Sequence, residues 1–124
     1  MRLKQTENDV LGAIRQLLEA NGARVFRVVE RIPWGKTKSE AGIPDLFGWL
    51  PKGLTCVAFD ASYHPAHFFI EVKRPGGKLR PAQAAWIERA KTDNVIAFKA
   101  ESLEEMIAEF AKVGIKVNGL GAVR

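Results

Sequence analysis

The sequence predicts an α/β fold, a mixed β-sheet flanked by α-helices, on three observations. Apolar residues follow helical spacing in three segments, and alternate with polar residues or run together in four or five others. Gly, Pro and Asn punctuate the boundaries between them. The resulting order is helix, three or four strands, helix, strand, helix, in which each helix can bury one stripe against a sheet.

The first helix is expected over Glu7 to Ala20. Thr6 and Asp9 have capping-box spacing, and Val10, Leu11, Ile14, Leu17 and Leu18 share a face. Asn21-Gly22 supplies its stop. Arg24 to Val29 alternates and reads as a strand. Glu30 to Gly42, rich in Lys, Arg, Gly, Pro and Ser, reads as a long basic loop. A second strand is expected over Asp45 to Leu50, closed by Pro51-Lys52-Gly53. Leu54 to Phe59 reads as a third strand and His67 to Lys73 as a fourth, whose run Phe68-Phe69-Ile70 suits a strand covered on both faces. Arg74-Pro75-Gly76-Gly77 ends it, and Pro81 opens a second helix to about Lys91. Val95 to Lys99 is a short strand. Ser102 and Glu105 have capping-box spacing before a third helix, which carries Leu103, Met106, Ile107 and Phe110 on one face and stops near Gly114. The Gly-rich tail to Arg124 has no legible pattern.

Length and composition narrow the function classes. The 124 residues suit one domain, residues 1–124, with a real core. No apolar run approaches a membrane span. The N-terminal stretch lacks the apolar core of a secretory leader, so an intracellular protein is expected. Cys56 is the only cysteine, which excludes an intrachain disulfide and a cysteine zinc cage, and suits a reducing compartment. The formal charge of +5 points to an anionic partner such as nucleic acid.

Polar residues stand where the pattern asks for apolar ones. Glu7 extends the Val10, Leu11, Ile14 stripe of the first helix, and Gln83 extends the Trp86, Ile87, Ala90 stripe of the second. Taken singly, each fits a solvated first-turn residue. In the fourth strand, alternation sets Phe68, Ile70 and Val72 on one face and His67, Phe69, Glu71 and Lys73 on the other. Glu71 and Lys73 thus project together from an apolar strand, where charge is costly unless paired or bound to a metal. Alone, this is an edge ion pair, and Asp45 after Pro44 is a turn acid. Together, carboxylates gathered with a lysine suit a hard divalent cation that activates water and neutralises phosphoryl charge.

Three phrases resemble a known family. Gly42-Ile43-Pro44-Asp45-Leu46, Phe69-Ile70-Glu71-Val72-Lys73-Arg74, and Gly76-Gly77-Lys78-Leu79-Arg80-Pro81-Ala82-Gln83 resemble the VRR-NUC branch of the PD-(D/E)XK nucleases. The resemblance spans Glu7 to Phe110. It implies a restriction-endonuclease-like core and a metal-dependent DNA endonuclease. By the same resemblance, Asp45, Glu71 and the backbone carbonyl of Val72 would ligate Mg²⁺ or Mn²⁺, with Glu7 supporting the metal or its water shell. Lys73 would position the attacking water, and Gln83 would orient Lys73 or the scissile phosphate. Stand-alone members are similar to Holliday-junction resolvases, which implies branched DNA as substrate and a homodimer that pairs two cuts. The stretch from Leu54 to His67 is longer and more aromatic than the family's hairpin.

Other residues are weighed beside these. Lys36, Lys38, Lys78 and Arg80 are candidate phosphate contacts, with Arg27 and Arg31 as further basic neighbours. Trp34 could stack on a base, whereas Trp49 and Trp86 are assigned to the core. His64 and His67 have a spacing that a transition metal could use, but no second ligand cluster accompanies them. The competing readings are a flap or branched-DNA repair nuclease, a non-catalytic nucleic-acid-binding module with a nuclease-like fold, and a protein-interaction domain.

Overall fold

The computed structural model describes residues 4–28, 42–51, 54 and 67–119. Helix α1 spans Glu7–Ala20. Thr6 Oγ1 accepts from the Asp9 amide at 3.1 Å, and Asp9 Oδ2 accepts from the Thr6 amide at 2.9 Å, the reciprocal cap expected of that pair. Val10, Leu11, Ile14 and Leu18 are buried. Gly22 ends the helix at φ +92°, and the Ala23 amide returns to the Leu18 carbonyl at 3.0 Å.

The sheet has four strands: β1 (Arg24–Arg27), β2 (Leu46–Trp49), β3 (His67–Val72) and β4 (Ile96–Ala100). Their spatial order is β1-β2-β3-β4. The first two pairings are antiparallel, and β3 pairs parallel with β4. A parallel neighbour requires a crossover, here through α2 (Pro81–Thr92). The strands are a little shorter than the sequence pattern implies. β1 stops at Arg27, although the Val28 amide still reaches the Asp45 carbonyl at 2.8 Å. Asp45 precedes β2, and Lys73 follows β3, its amide donating to Ala100 at 3.0 Å. Of the expected strand over Leu54 to Phe59, only Leu54 is among the described residues. It lies in a turn, its amide donating to Pro51 at 3.1 Å.

The two faces of the sheet differ. Val25, Leu46, Phe68, Ile70, Val72, Phe98 and Ala100 point to a core built with α1 and with α3 (Leu103–Lys112). Phe110 sits at its centre, edge-on to Phe68 and Phe98 with centroids 5.7 and 5.1 Å away. On the opposite face α2 covers Ala97 and part of Phe69 with Ile87, Ala90 and Trp86. That cover leaves Phe47 and Trp49 about one-third exposed. Trp49 therefore is not a core residue: β2 turns Leu46 and Gly48 inward, with Leu50 just after it also buried, and Phe47 and Trp49 outward. Trp86 is half-buried.

Helix α3 opens with Ser102 Oγ accepting from the Glu105 amide at 3.0 Å. The return bond is displaced by one residue: Glu105 accepts from the Glu101 amide at 2.7 Å rather than from Ser102. Beyond α3, Ile115 and Val117 are buried in the main core. Asn21 and Asn118 then join two distant parts of the chain through paired 3.0 Å bonds, side-chain amide to backbone.

Candidate active site

Three segments converge at one end of the sheet. The Gly42–Asp45 segment enters β2, and Glu71 and Lys73 lie at the end of β3. Gln83 belongs to the first turn of α2. Gly42 sits against that turn at φ +86°. A Cβ there would stand 2.2 Å from the Ala82 carbonyl oxygen, so only glycine permits the approach. The approach sets Asp45 beside β3, where its Oδ2 accepts from the Val72 amide at 2.9 Å.

Glu71 is 2% exposed. Its Oε2 accepts from the Gln83 side-chain amide at 3.0 Å and lies 3.3 Å from the Lys73 ammonium. Gln83 is itself fixed, because its Oε1 accepts from the Arg80 amide at 2.8 Å. The amide thus works in two directions, capping α2 and holding Glu71. The sequence pattern sets Gln83 on the inward face, as observed, but the expected partner was Lys73 or the phosphate; the bond is to the carboxylate that Lys73 also touches.

The other Glu71 oxygen, Oε1, is buried and accepts from no N–H group among the described residues; beside the carboxyl is the Asp45 side chain, a contact that favours its protonated form. A buried, unsatisfied carboxylate oxygen is costly. Burial, then the charge of Asp45, push the Glu71 carboxyl up to about 8, while Lys73 pulls it down. Lys99 faces Glu71 in register across β3 and β4, yet its ammonium is engaged by Glu101 and Glu105. Lys73 is thus the one cation paired with Glu71 among the described residues.

This donor set fits a divalent cation. Asp45 and this second Glu71 oxygen are hard oxygen donors, and a positive charge between them would remove the cost that raises the Glu71 pKa. Side chains alone do not complete a cage: among the described residues, no group of three or more His, Cys, Asp or Glu side chains is gathered. A hard cation here would need main-chain or water oxygens as well, the role expected of the Val72 carbonyl. Glu7 is exposed in the first turn of α1.

The model of the VRR-NUC domain family matches residues 5–103. The chain belongs to the VRR-NUC family. That family is one of the PD-(D/E)XK-like nucleases, which implies a nuclease and therefore a DNA partner. A solved structure described as a VRR_NUC domain shares 22% identity and superposes with a TM-score of 0.58, covering 87% of this chain and 97% of that one. It shows the same α/β fold. No curated protein matches the chain.

Around the VRR-NUC site, Lys78 and Arg80 are exposed between β3 and α2. Lys36 and Lys38 lie outside the described residues, as do Trp34, Cys56 and His64. One contributor is missing from the sequence reading. Glu101 accepts from the Gly76 amide at 2.7 Å and also binds Lys99, tying the turn after Lys73 to the end of β4. In the sequence it stands just before Ser102 and carries no signal beyond a helix start. Among the described residues, no helix is long and apolar enough to cross a membrane.

Proposed function

We propose that the chain is a divalent-cation-dependent endodeoxyribonuclease that hydrolyses phosphodiesters in branched DNA, with four-way junctions as the leading substrate and a homodimer as the working form. The observation that carries the catalytic part is Glu71: a buried carboxyl with one oxygen held by Lys73 and Gln83 and the other meeting no donor N–H among the described residues, beside the second acid, Asp45. A domain that only binds nucleic acid gains nothing from such a group, and folding would favour its replacement.

Asp45, Glu71 and the Val72 carbonyl would hold Mg²⁺, or Mn²⁺ in its place, which supplies a Lewis acid for the phosphoryl oxygen and for water. Lys73, 9% exposed and anchored on Glu71, holds its ammonium where it can orient the attacking water and offset charge on the phosphorane-like transition state. Gln83 keeps the Glu71 carboxylate, and through it Lys73, from rotating away. Lys78 and Arg80, with Lys36 and Lys38, supply phosphate contacts. A homodimer is favoured because a symmetric junction needs two paired cuts.

The test is cleavage of labelled four-way junction, flap, splayed-arm and plain duplex DNA in Mg²⁺, Mn²⁺ or EDTA. We expect cation-dependent cutting with the junction preferred, lost in Glu71→Gln and in Lys73→Met. Absence of cutting with either cation, or cutting that survives both substitutions, would overturn the proposal.

A further inference from the structure

The sheet face that carries Glu71 and Lys73 also carries an aromatic surface that the chemistry does not use. Phe26, Phe47 and Phe69, from three adjacent strands, stand side by side with centroids 5.4 and 6.2 Å apart and interplanar angles of 26° and 23°. Trp49 joins Phe26 at 5.7 Å, and Trp86 of α2 meets Phe69 at 5.1 Å. One helical turn before Trp86 is Gln83, whose amide holds Glu71. The ladder therefore leads from the outermost strand to the flank of the candidate site.

Its outer rungs are open: Phe26, Phe47 and Trp49 are 36%, 36% and 37% exposed. Contiguous rings left in water mark an interaction surface. Arg24 pairs in register with Trp49 and is exposed. Among the described residues it forms no ion pair. A row of π-surfaces with such a guanidinium at its margin suits a strand with unpaired bases. The bases stack on the rings, and the guanidinium meets a phosphate. A plain duplex keeps its base faces stacked on one another and offers none. The net charge of +5 also suits a polyanion as the occupant of this face.

We propose that this ladder is a stacking platform for DNA bases unpaired next to the scissile phosphodiester, including those opened at the branch point of a junction, so that the enzyme prefers branched substrates over closed duplex. The identity of the ligand rests on the nuclease reading above. The platform is tested separately from catalysis, by binding without divalent cation.

The full chain in EDTA is titrated against labelled oligo-dT and against a labelled plain duplex, with fluorescence anisotropy as the readout. In Phe26→Ala and in Trp49→Ala the ratio of single-strand to duplex affinity should fall about tenfold, the worth of one base–aromatic stack. Trp49→Phe should retain most of the ratio. Circular dichroism checks that each variant folds. The wild type supplies a readout that needs no variant: oligo-dT should quench tryptophan emission more than the duplex does. An unchanged ratio in both alanine variants would overturn the inference. So would a wild-type dimer that these variants dissociate, with the ratio unaltered, which would give the face to a second copy. Junction cleavage separates the two proposals. Cleavage with an unchanged ratio sinks the platform alone; a falling ratio without cleavage sinks the nuclease reading and leaves a single-strand-binding face.

Discussion

Substituting Glu71 by Gln removes a buried group whose ionisation the fold resists, and the consequence for stability has a definite sign. The carboxyl titrates near 4.5 in an unfolded chain and is pushed up to about 8 in the folded one, by burial first and by Asp45 second. Between these values the folded state binds more protons than the unfolded state. Its stability therefore falls as pH rises. The contribution is fully present below the unfolded pKa and is gone once pH has passed the folded one. A tenfold change in an ionisation constant corresponds to about 1.4 kcal/mol, so the cation-free protein should lose on the order of 4 kcal/mol from this group between about pH 5 and 8. The amide introduced by Glu71→Gln cannot ionise, and it keeps an oxygen that accepts from the Gln83 side chain. The assay is urea unfolding in EDTA at several pH values across that window, wild type against variant. The variant should gain on the wild type by about 1.4 kcal/mol per pH unit in the middle of that window. Two stability curves that run parallel from pH 5 to 8 would refute the reasoning, because they would show Glu71 ionised throughout.

Other expectations follow from the same geometry. Gly42→Ala puts a methyl 2.2 Å from the Ala82 carbonyl oxygen at a positive φ. Loop and helix must part by about 1 Å, a misplacement on the scale that costs about a hundredfold in rate, and urea unfolding should show a loss of about 1–3 kcal/mol. Phe110→Ala empties the centre of the main core and should cost about 3–5 kcal/mol in the same unfolding experiment. The paired change Lys78→Ala and Arg80→Ala should flatten the salt dependence of duplex binding by about one to two units of slope, measured as log affinity against log salt, if both contact phosphates.

The fold was legible where local signals were strong. The Thr6–Asp9 box, the Asn21-Gly22 stop and Pro81 set their helices to within a residue or so, because capping chemistry is local. Alternation in β3 assigned Phe68, Ile70 and Val72 to one face and Glu71 and Lys73 to the other, as observed. What sequence could not supply was coverage. Trp49 looks like a core residue until one knows that α2 lies over β3 and β4 rather than β2. The capping partner of Glu105 slipped by one residue because Ser102 and Glu101 both offer an amide within its reach. In the site, the residue types were legible from their spacing. The bonds between them were not: Asp45 to the Val72 amide and Gln83 to Glu71 each join segments far apart in the chain. Glu101 was missed for that reason, since its role appears only when the turn at Gly76 is brought beside β4.

The bond from Asp45 to the Val72 amide bears on how a silenced copy of this domain would look. Val72 is fully buried, so a chain that lost its chemistry would still need an acceptor at position 45; without one, a buried amide is orphaned at about 1–3 kcal/mol. Drift would then keep Asp or Asn there for folding alone. Glu71 is pulled both ways: its first oxygen serves Lys73 and Gln83, which a neutral acceptor such as Gln could also serve, while its ionisation works against the fold. Of the two acids, Glu71 is the one that selection for folding would discard first. Its identity in any related chain is the better test of whether the enzyme is alive.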